Sequence, residues 1–384
     1  MTDLLKDTLT ERADSVEPPP FDLDEIIAAG DRRLTRRRAL TIFGGTAVAL
    51  AGGGLAVAAS RKRHLPPPFA ERRVTYAVGS EIHYGDEVIS VAPQAVIAFV
   101  QTDAGFVFLN SQNSIHVVDR TGVRPLGKTA GRLVGGGNLV AWVESFNDRY
   151  ESVVYDVAAR REVVRTANGN MIPPRATLAV GARIVALDGN HAYFGTNGGL
   201  YRWDLTTDQG EQIANVEPDV VRAVMADRFV FQQPFDKVGG HSFDRVNGHA
   251  LAVADTVNST TPARFTGQQA FLSPTATYLV TQLDDAQPGI QPLWADLQLY
   301  EVASGSRIAL PNTYVTKYFG QWLDDTTCTL AGQRPNRDVD LLVVDARTGA
   351  VRTAVPKFTK LSFSRTPPRT ASIALPTGAP IIDL

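Results

Sequence analysis

One short unit recurs along most of this chain and limits its fold more than any other feature. An apolar run ends in an acidic residue, a polar turn often containing glycine follows, and a second run begins. The unit reads IHVVDRTGVRPL with its acid at Asp119, SVVYDVAARREVV at Asp156 and LYRWDLTTDQGEQI at Asp204. It returns as ALAVADTVNS at Asp255, LQLYEVASGSRIAL at Glu301 and LLVVDARTGAVRTA at Asp345. Successive acids lie 37, 48, 51, 46 and 44 residues apart. In turns of this kind Asp, Ser or Thr bonds backbone amides, and Gly122, Gly305 and Gly349 supply a positive φ where the strand reverses.

Periods of roughly 40 to 50 residues with four short strands each are those of β-propeller blades. The other strands lie upstream of each acid: VIAFVQT from Val96, GFVFLN from Gly105 and SIHVVD from Ser114 in the first complete unit, with VRPL from Val123 after the turn. Past residue 70 no helical period is sustained, and 32 glycines and 23 prolines in 384 residues favour turns, so the class is all-β. Six units fill about residues 94 to 356. VTYAVGSEIHYGDEVISV before them and ASIALPTGAPIIDL after them are left over, and a composite blade built from both ends uses both and removes the unpaired edge. The expectation is a β-propeller over residues 73–384 with seven blades, six being the alternative.

The first 72 residues read differently. Residues 1–38 form a polar leader, in which Asp22 and Glu25 make a capping box after Pro18-Pro19-Pro20. Residues 39–59, ALTIFGGTAVALAGGGLAVAA, hold no charge and are long enough to cross a bilayer as a transmembrane helix. Five arginines between Arg32 and Arg38 outnumber the three basic residues Arg61 to Arg63, which puts the amino terminus in the cytoplasm and the propeller outside. Residues 60–72 form a proline-containing spacer. The alternative is export on a twin-arginine-like signal at Thr35-Arg36-Arg37-Arg38, with cleavage after Ala56-Val57-Ala58.

Two resemblances follow from these residues. LLKDTLTERADS, EPPPFDLDEIIAAGDRR, the arginine cluster and the apolar span look like the leader of actinobacterial single-pass membrane proteins. FLSPTATYLVTQ from Phe271 resembles the opening of WD-repeat and TolB-like blades, which implies a propeller fold and no particular activity.

Chemistry-bearing patterns are sparse. Net charge is -2, and the part from Arg61 onward is electrically balanced, which argues against a nucleic-acid partner. Cys328 is the lone cysteine, so no disulfide or cysteine zinc site forms within the chain. No G-x-S-x-G elbow is present. Gly135-Gly136-Gly137 precedes a strand, not a helix, and reads as a blade bend. Asp284-Asp285, Asp324-Asp325 and Asp338-Val339-Asp340 lack the ligand series of a calcium loop and read as turn residues. His64, His83, His116, His191, His241 and His249 occur singly. Trp142, Trp203, Trp294 and Trp322 read as packing between blades and not as a cofactor box. Asn258-Ser259-Thr260 is a glycosylation sequon.

No residue is assigned as catalytic, cofactor-binding or metal-ligating, and no cofactor is implied. The expected partners are a lipid bilayer at residues 39–59 and an unidentified protein, peptide or carbohydrate. The expected function is a membrane-anchored, extracytoplasmic, non-catalytic binding or scaffold module. The alternatives are a lyase or glycan-processing enzyme, which would gather His83, His116 or His191 with carboxylates at one mouth, and a transmembrane sensor.

Overall fold

The computed structural model describes residues 67–128, 131–146, 149–165, 183–196, 199–214, 220–232, 250–256, 259, 262–284, 295–360 and 373–379. The leader, the apolar span, the twin-arginine-like segment, His241, His249, Trp294 and Asp285 lie outside them. Among the described residues no helix is long and apolar enough to cross a membrane.

The chain opens with β1 (Thr75–Val78), β2 (Glu81–Tyr84) and β3 (Glu87–Ser90), the beginning of blade 1. Blade 2 holds β4 (Val96–Gln101), β5 (Phe106–Asn110), β6 (Ser114–Asp119) and β7 (Gly122–Lys128). Blade 3 holds β8 (Val134–Gly136), β9 (Leu139–Phe146), β10 (Arg149–Asp156) and β11 (Arg161–Arg165). Blade 4 holds β12 (Arg183–Asp188), β13 (His191–Thr196), β14 (Gly199–Asp204) and β15 (Gln209–Ala214). Blade 5 holds β16 (Val221–Met225), β17 (Arg228–Gln232), β18 (Ala250–Ala254) and β19 (Ala263–Thr266). Blade 6 holds β20 (Gln269–Leu272), β21 (Tyr278–Asp284), β22 (Ala295–Glu301) and β23 (Arg307–Ile308). Blade 7 holds β24 (Thr316–Trp322), β25 (Thr327–Gln333), β26 (Asp338–Asp345) and β27 (Val351–Lys360). Finally β28 (Ile373–Ala374) pairs antiparallel with β1 and completes blade 1 in the order β28-β1-β2-β3. The composite seventh blade is therefore present.

Burial follows strand position. The innermost strand β4 and the next, β5, are apolar and buried along almost their whole length, because neighbouring blades cover both faces. The outermost strand β7, GVRPLGK, is largely exposed. The core is accordingly a ring of seven apolar clusters, one at each junction of consecutive blades. Phe99 and Phe106 of blade 2 meet Ile82 and Tyr84 of blade 1. Trp142 of blade 3 packs with Val107 and Ile115 of blade 2, and Trp203 of blade 4 with Val143 and Val154 of blade 3. Further clusters join blades 4 to 5, 5 to 6 and 6 to 7, and Leu375 with Leu341 joins 7 to 1. Trp322 packs against the junction of blades 6 and 7, as expected of a residue between blades.

The recurring acids end the third strand of their blades at the lower face. Asp119 accepts bonds from the Thr121 amide at 2.7 Å and its hydroxyl at 2.5 Å. Asp204 does the same with Thr206, Asp156 receives the Ala159 amide, Asp345 the Arg347 amide and Glu301 the Ser304 hydroxyl. Asp255 instead pairs with Arg228 at 3.0 Å. Asp324 is likewise a turn acid, and Asp325 receives the Thr275 amide of blade 6.

Two sequence readings need correction. Gly135 and Gly136 are not a bend but lie in the innermost strand β8. A Cβ on Gly135 would stand 3.0 Å from Val100 Cβ, and one on Gly136 would stand 2.9 Å from the Leu187 carbonyl, so neighbouring inner strands leave no room for a side chain. Asp340 is not a turn residue. It is fully buried in β26, where it accepts bonds from Tyr314 Oη at 3.0 Å, Arg334 Nε at 2.7 Å and the Lys357 amide at 2.8 Å.

Asp119 ties two blades together. It binds Arg124 of its own blade at 2.6 Å and Arg160 of blade 3 at 3.3 Å. Burial pushes its carboxyl up, but the Thr121 hydroxyl, Arg124 and the Thr121 amide outweigh this and lower it from 3.8 to about 2. A depressed carboxyl adds stability that is complete above its unfolded pKa and is lost as pH falls through the folded one. We expect Asp119→Asn to cost about 1–2 kcal/mol at pH 5. Urea melts of both proteins should show this difference shrinking as pH falls from 4 towards 2, whereas a gap unchanged at about pH 2 would mean that ionisation is not its source.

Candidate functional site at the upper mouth of the central channel

The innermost strands β28, β4, β8, β12, β16, β20 and β24 line the channel about which the blades are arranged. Each of β4, β8, β12, β16, β20 and β24 is entered from the preceding blade at the upper face and runs down to the turn before the second strand. Their charged residues are unevenly placed. Arg183 opens β12, Arg222 and Lys317 are the second residues of β16 and β24, and Arg132 stands two residues before β8. The only carboxylate on these seven strands, Asp188, ends β12 at its lower end. Among the described residues, four cations thus stand at or near the upper ends of the inner strands.

Three of them have described polar partners. Arg183 donates to the Val221 carbonyl at 2.6 Å, Arg222 to Gln232 Oε1 at 2.6 Å and Lys317 to the Tyr314 carbonyl at 3.2 Å. Arg132 differs from the other three. Its neighbour Leu133 is fixed in the junction of blades 2 and 3 and donates its amide to Gly378 at 2.8 Å. The Arg132 side chain is open to solvent.

Among the described residues, His83, His116 and His191 do not form the constellation an enzyme of the expected alternative kind would need. His83 stacks on Tyr76 at 4.4 Å with Glu81 at 3.7 Å in blade 1. His116 stacks on Phe108 in blade 2, and His191 lies beside Tyr193 in blade 4. Three blades hold them apart. Cys328 is buried, and burial followed by the nearby Asp324 pushes its thiol up to about 12, the opposite of a nucleophile's environment. Among the described residues no group of three His, Cys, Asp or Glu could hold a metal ion. Two further concavities are shallow. One of about 490 Å³ is lined by Gln94, Asn110, His116 and Lys128, and one of about 860 Å³ by Arg228, Asp255, Ser259 and Thr275.

Sequence reasoning did not single out Arg132, Arg183, Arg222 or Lys317. The available signal was positional, a basic residue where the first strand of a blade begins.

Seven four-stranded blades closed from both chain ends define a seven-bladed β-propeller. No family model and no curated protein matches the chain. Solved structures similar to it include TolB from Acinetobacter baumannii, at 12% identity and a TM-score of 0.40, covering 80% of this chain and 66% of that one. A puromycin-hydrolyzing peptidase from Mycobacterium tuberculosis is similar at 14% identity and a TM-score of 0.44, covering 73% of this chain and 50% of that one. The Dos1 propeller is similar at 12% identity and a TM-score of 0.42, covering 73% and 78%. The chain thus spans about two thirds of TolB and half of the peptidase. The expectation of a non-catalytic binding or scaffold module is corrected here, because propellers similar to this one also occur in peptidases, among them puromycin hydrolase and the tricorn protease.

Proposed function

We propose that the upper mouth of the channel receives an anionic substrate or ligand. The observation that carries this reading is the sorting of charge among the described residues of the inner wall, with Arg132, Arg183, Arg222 and Lys317 above and Asp188 below. Net charge is -2, so the attraction is local to the mouth and not a property of the whole surface. A fluorescent hexaglutamate peptide titrated into the full chain in detergent tests it by anisotropy. Binding is expected to weaken several-fold between 50 and 200 mM salt and to be lost when the four cations are changed together to glutamine. Equal affinity for hexalysine, or binding unchanged in the quadruple variant, would sink the idea.

We further propose that residues 39–59 anchor the chain as a single-pass membrane protein of actinobacterial type, with the leader inside and the propeller outside. The uncharged span and the arginine cluster before it support this topology. In spheroplasts, a carboxy-terminal tag should be open to protease on a membrane-bound, full-length product. A soluble product beginning after Ala58 would replace the anchor with a cleaved export signal.

A further inference from the structure

The concavity of about 490 Å³ lies at the upper rim, where blade 2 faces blade 1, and all the residues that line it are described. β3 ends at Ser90 and the chain turns inward to β4, whereas β7 runs on to Lys128, which leaves this part of blade 2 open. Ser114 and Lys128 are partners at the upper ends of β6 and β7, His116 follows Ser114 by two residues, and Gln94 comes from the connection out of blade 1. Hydrogen bonds set the floor. Asn110 Nδ2 donates to Gln94 Oε1 at 2.7 Å, and Asn110 Oδ1 accepts the amides of Gln112 at 3.0 Å and Ser114 at 2.9 Å. Asn110 is thereby used up, while Gln94 keeps its Nε2 protons. His116 is only 9% exposed, stacks on Phe108 at 5.3 Å and has Nδ1 3.3 Å from the Ser114 carbonyl. A carbonyl can only accept, so Nδ1 carries a proton and Nε2 of the neutral ring is an acceptor. Among the described residues His116 Nε2, the Ser114 hydroxyl and the Lys128 ammonium have no partner. The lining holds no carboxylate. Glu144 stands against Gly127, which pairs with Ile115 on the side packed on blade 3, and there Trp142 and Arg165 bind it.

We propose that this concavity binds a sugar acid, a ligand of monosaccharide size that carries one carboxylate and several hydroxyls, as a hexuronate does. The site lies outside the channel and does not rest on the reading of the mouth as anion-receptive. Lys128 supplies a single positive charge that no acid in the lining offsets, and one carboxylate neutralises it. The remaining groups are neutral and ask for both kinds of partner: His116 Nε2 needs a donor, Gln94 Nε2 an acceptor and the Ser114 hydroxyl either. A sugar hydroxyl donates and accepts, so it serves all three, whereas a plain carboxylate has no proton for His116. Pro125 adds an apolar wall for the carbon face of a ring. The volume falls in the lower part of the range of about 300–1,000 Å³ found for small-molecule sites, which suits one sugar unit.

Saturation-transfer NMR titrations of the full chain in detergent at pH 7.5, with glucuronate, glucose, acetate and N-acetylglycine as probes, test the assignment. Glucuronate is expected to bind about tenfold more tightly than glucose or acetate, the difference that a charge-assisted hydrogen bond makes. K128Q should remove that advantage and leave glucuronate at the level of glucose. H116F keeps a ring against Phe108 but deletes Nε2, and it should weaken glucose and glucuronate alike by about threefold or more. Should H116F melt at a lower temperature, K128Q still decides the question, because Lys128 is exposed and its side chain has no partner among the described residues. Glucuronate binding unchanged in the quadruple glutamine variant of the channel mouth places the ligand at the rim, and binding lost in that variant overturns the inference. Acetate or N-acetylglycine binding as tightly as glucuronate would assign the site to a simple or peptide carboxylate and overturn the sugar reading. Glucuronate indifferent to K128Q, or no transfer to any probe, would overturn it as well.

Discussion

Replacing Gly378 by alanine is expected to lower the stability of the propeller by about 3 kcal/mol or more, because this one residue fastens the segment after the closing strand to two blades. The closing strand β28 is only two residues long and meets β1 at Ala77↔Ala374 and Val78↔Ile373. Beyond it, the Gly378 amide donates to the Phe99 carbonyl at 2.9 Å, and its own carbonyl accepts the Leu133 amide at 2.8 Å. A single residue thereby links the end of the propeller to the inner walls of blades 2 and 3. Its φ is +73°, and a Cβ would stand 2.0 Å from the Leu133 carbonyl oxygen and 2.9 Å from Val100 Cγ1. Left-handed backbone alone costs a non-glycine residue about 1 kcal/mol or somewhat more. The rest of the loss must come from the clash. Gly305 provides the control, since its φ is +67° and no atom lies within 4 Å of its added Cβ. Urea denaturation should show G305A losing about 1 kcal/mol and G378A at least twice as much. Equal losses would mean that the carboxy-terminal clasp yields at no cost and that closure rests on β28 and Leu375 alone.

The same clasp explains which parts of this fold were legible before the structure. A blade announces itself through its third strand and the turn after it, because an acid that caps a turn has to stand at a fixed place beside an apolar run. Asp119, Asp204 and Asp345 do so with bonds of 2.7 to 2.9 Å to the amide two residues on. The two-ended blade followed from edge chemistry, since a strand left open at either end would have an unpaired backbone. What was not legible depends on contacts between distant parts of the chain. Gly135 and Gly136 look like a turn in sequence, and only the approach of Val100 and Leu187 makes them the narrow part of an inner strand. Asp340 has a turn residue's composition around it, yet Arg334 and Tyr314 hold it in the interior. Arg132 and Arg183 are 51 positions apart and share no local pattern. That they stand at the upper ends of two neighbouring inner strands follows from the packing of blade on blade, which no window of a single blade contains.

Trp142→Ala should remove about 3–5 kcal/mol, a loss comparable with that of any single core truncation in the molecule. The ring has no single centre to absorb damage: each junction is a thin apolar layer shared by two blades, and Trp142 is the largest side chain buried at the junction of blades 2 and 3. It fills the space between Val107, Ile115 and Val153, and its Nε1 donates to Glu144 at 3.1 Å. Truncation would leave a cavity between two sheets whose backbones are fixed by their own ladders and cannot close over it. Trp142→Phe keeps much of the volume but leaves Glu144 to Arg165, so its cost should be nearer 1–2 kcal/mol and should come partly from the lost hydrogen bond. Leu133, next to Arg132, lies in the same cluster. Chemical denaturation gives the two stabilities. Equal losses in the two variants would mean that the hydrogen bond to Glu144, and not the volume packed between the two blades, carries the contribution of Trp142.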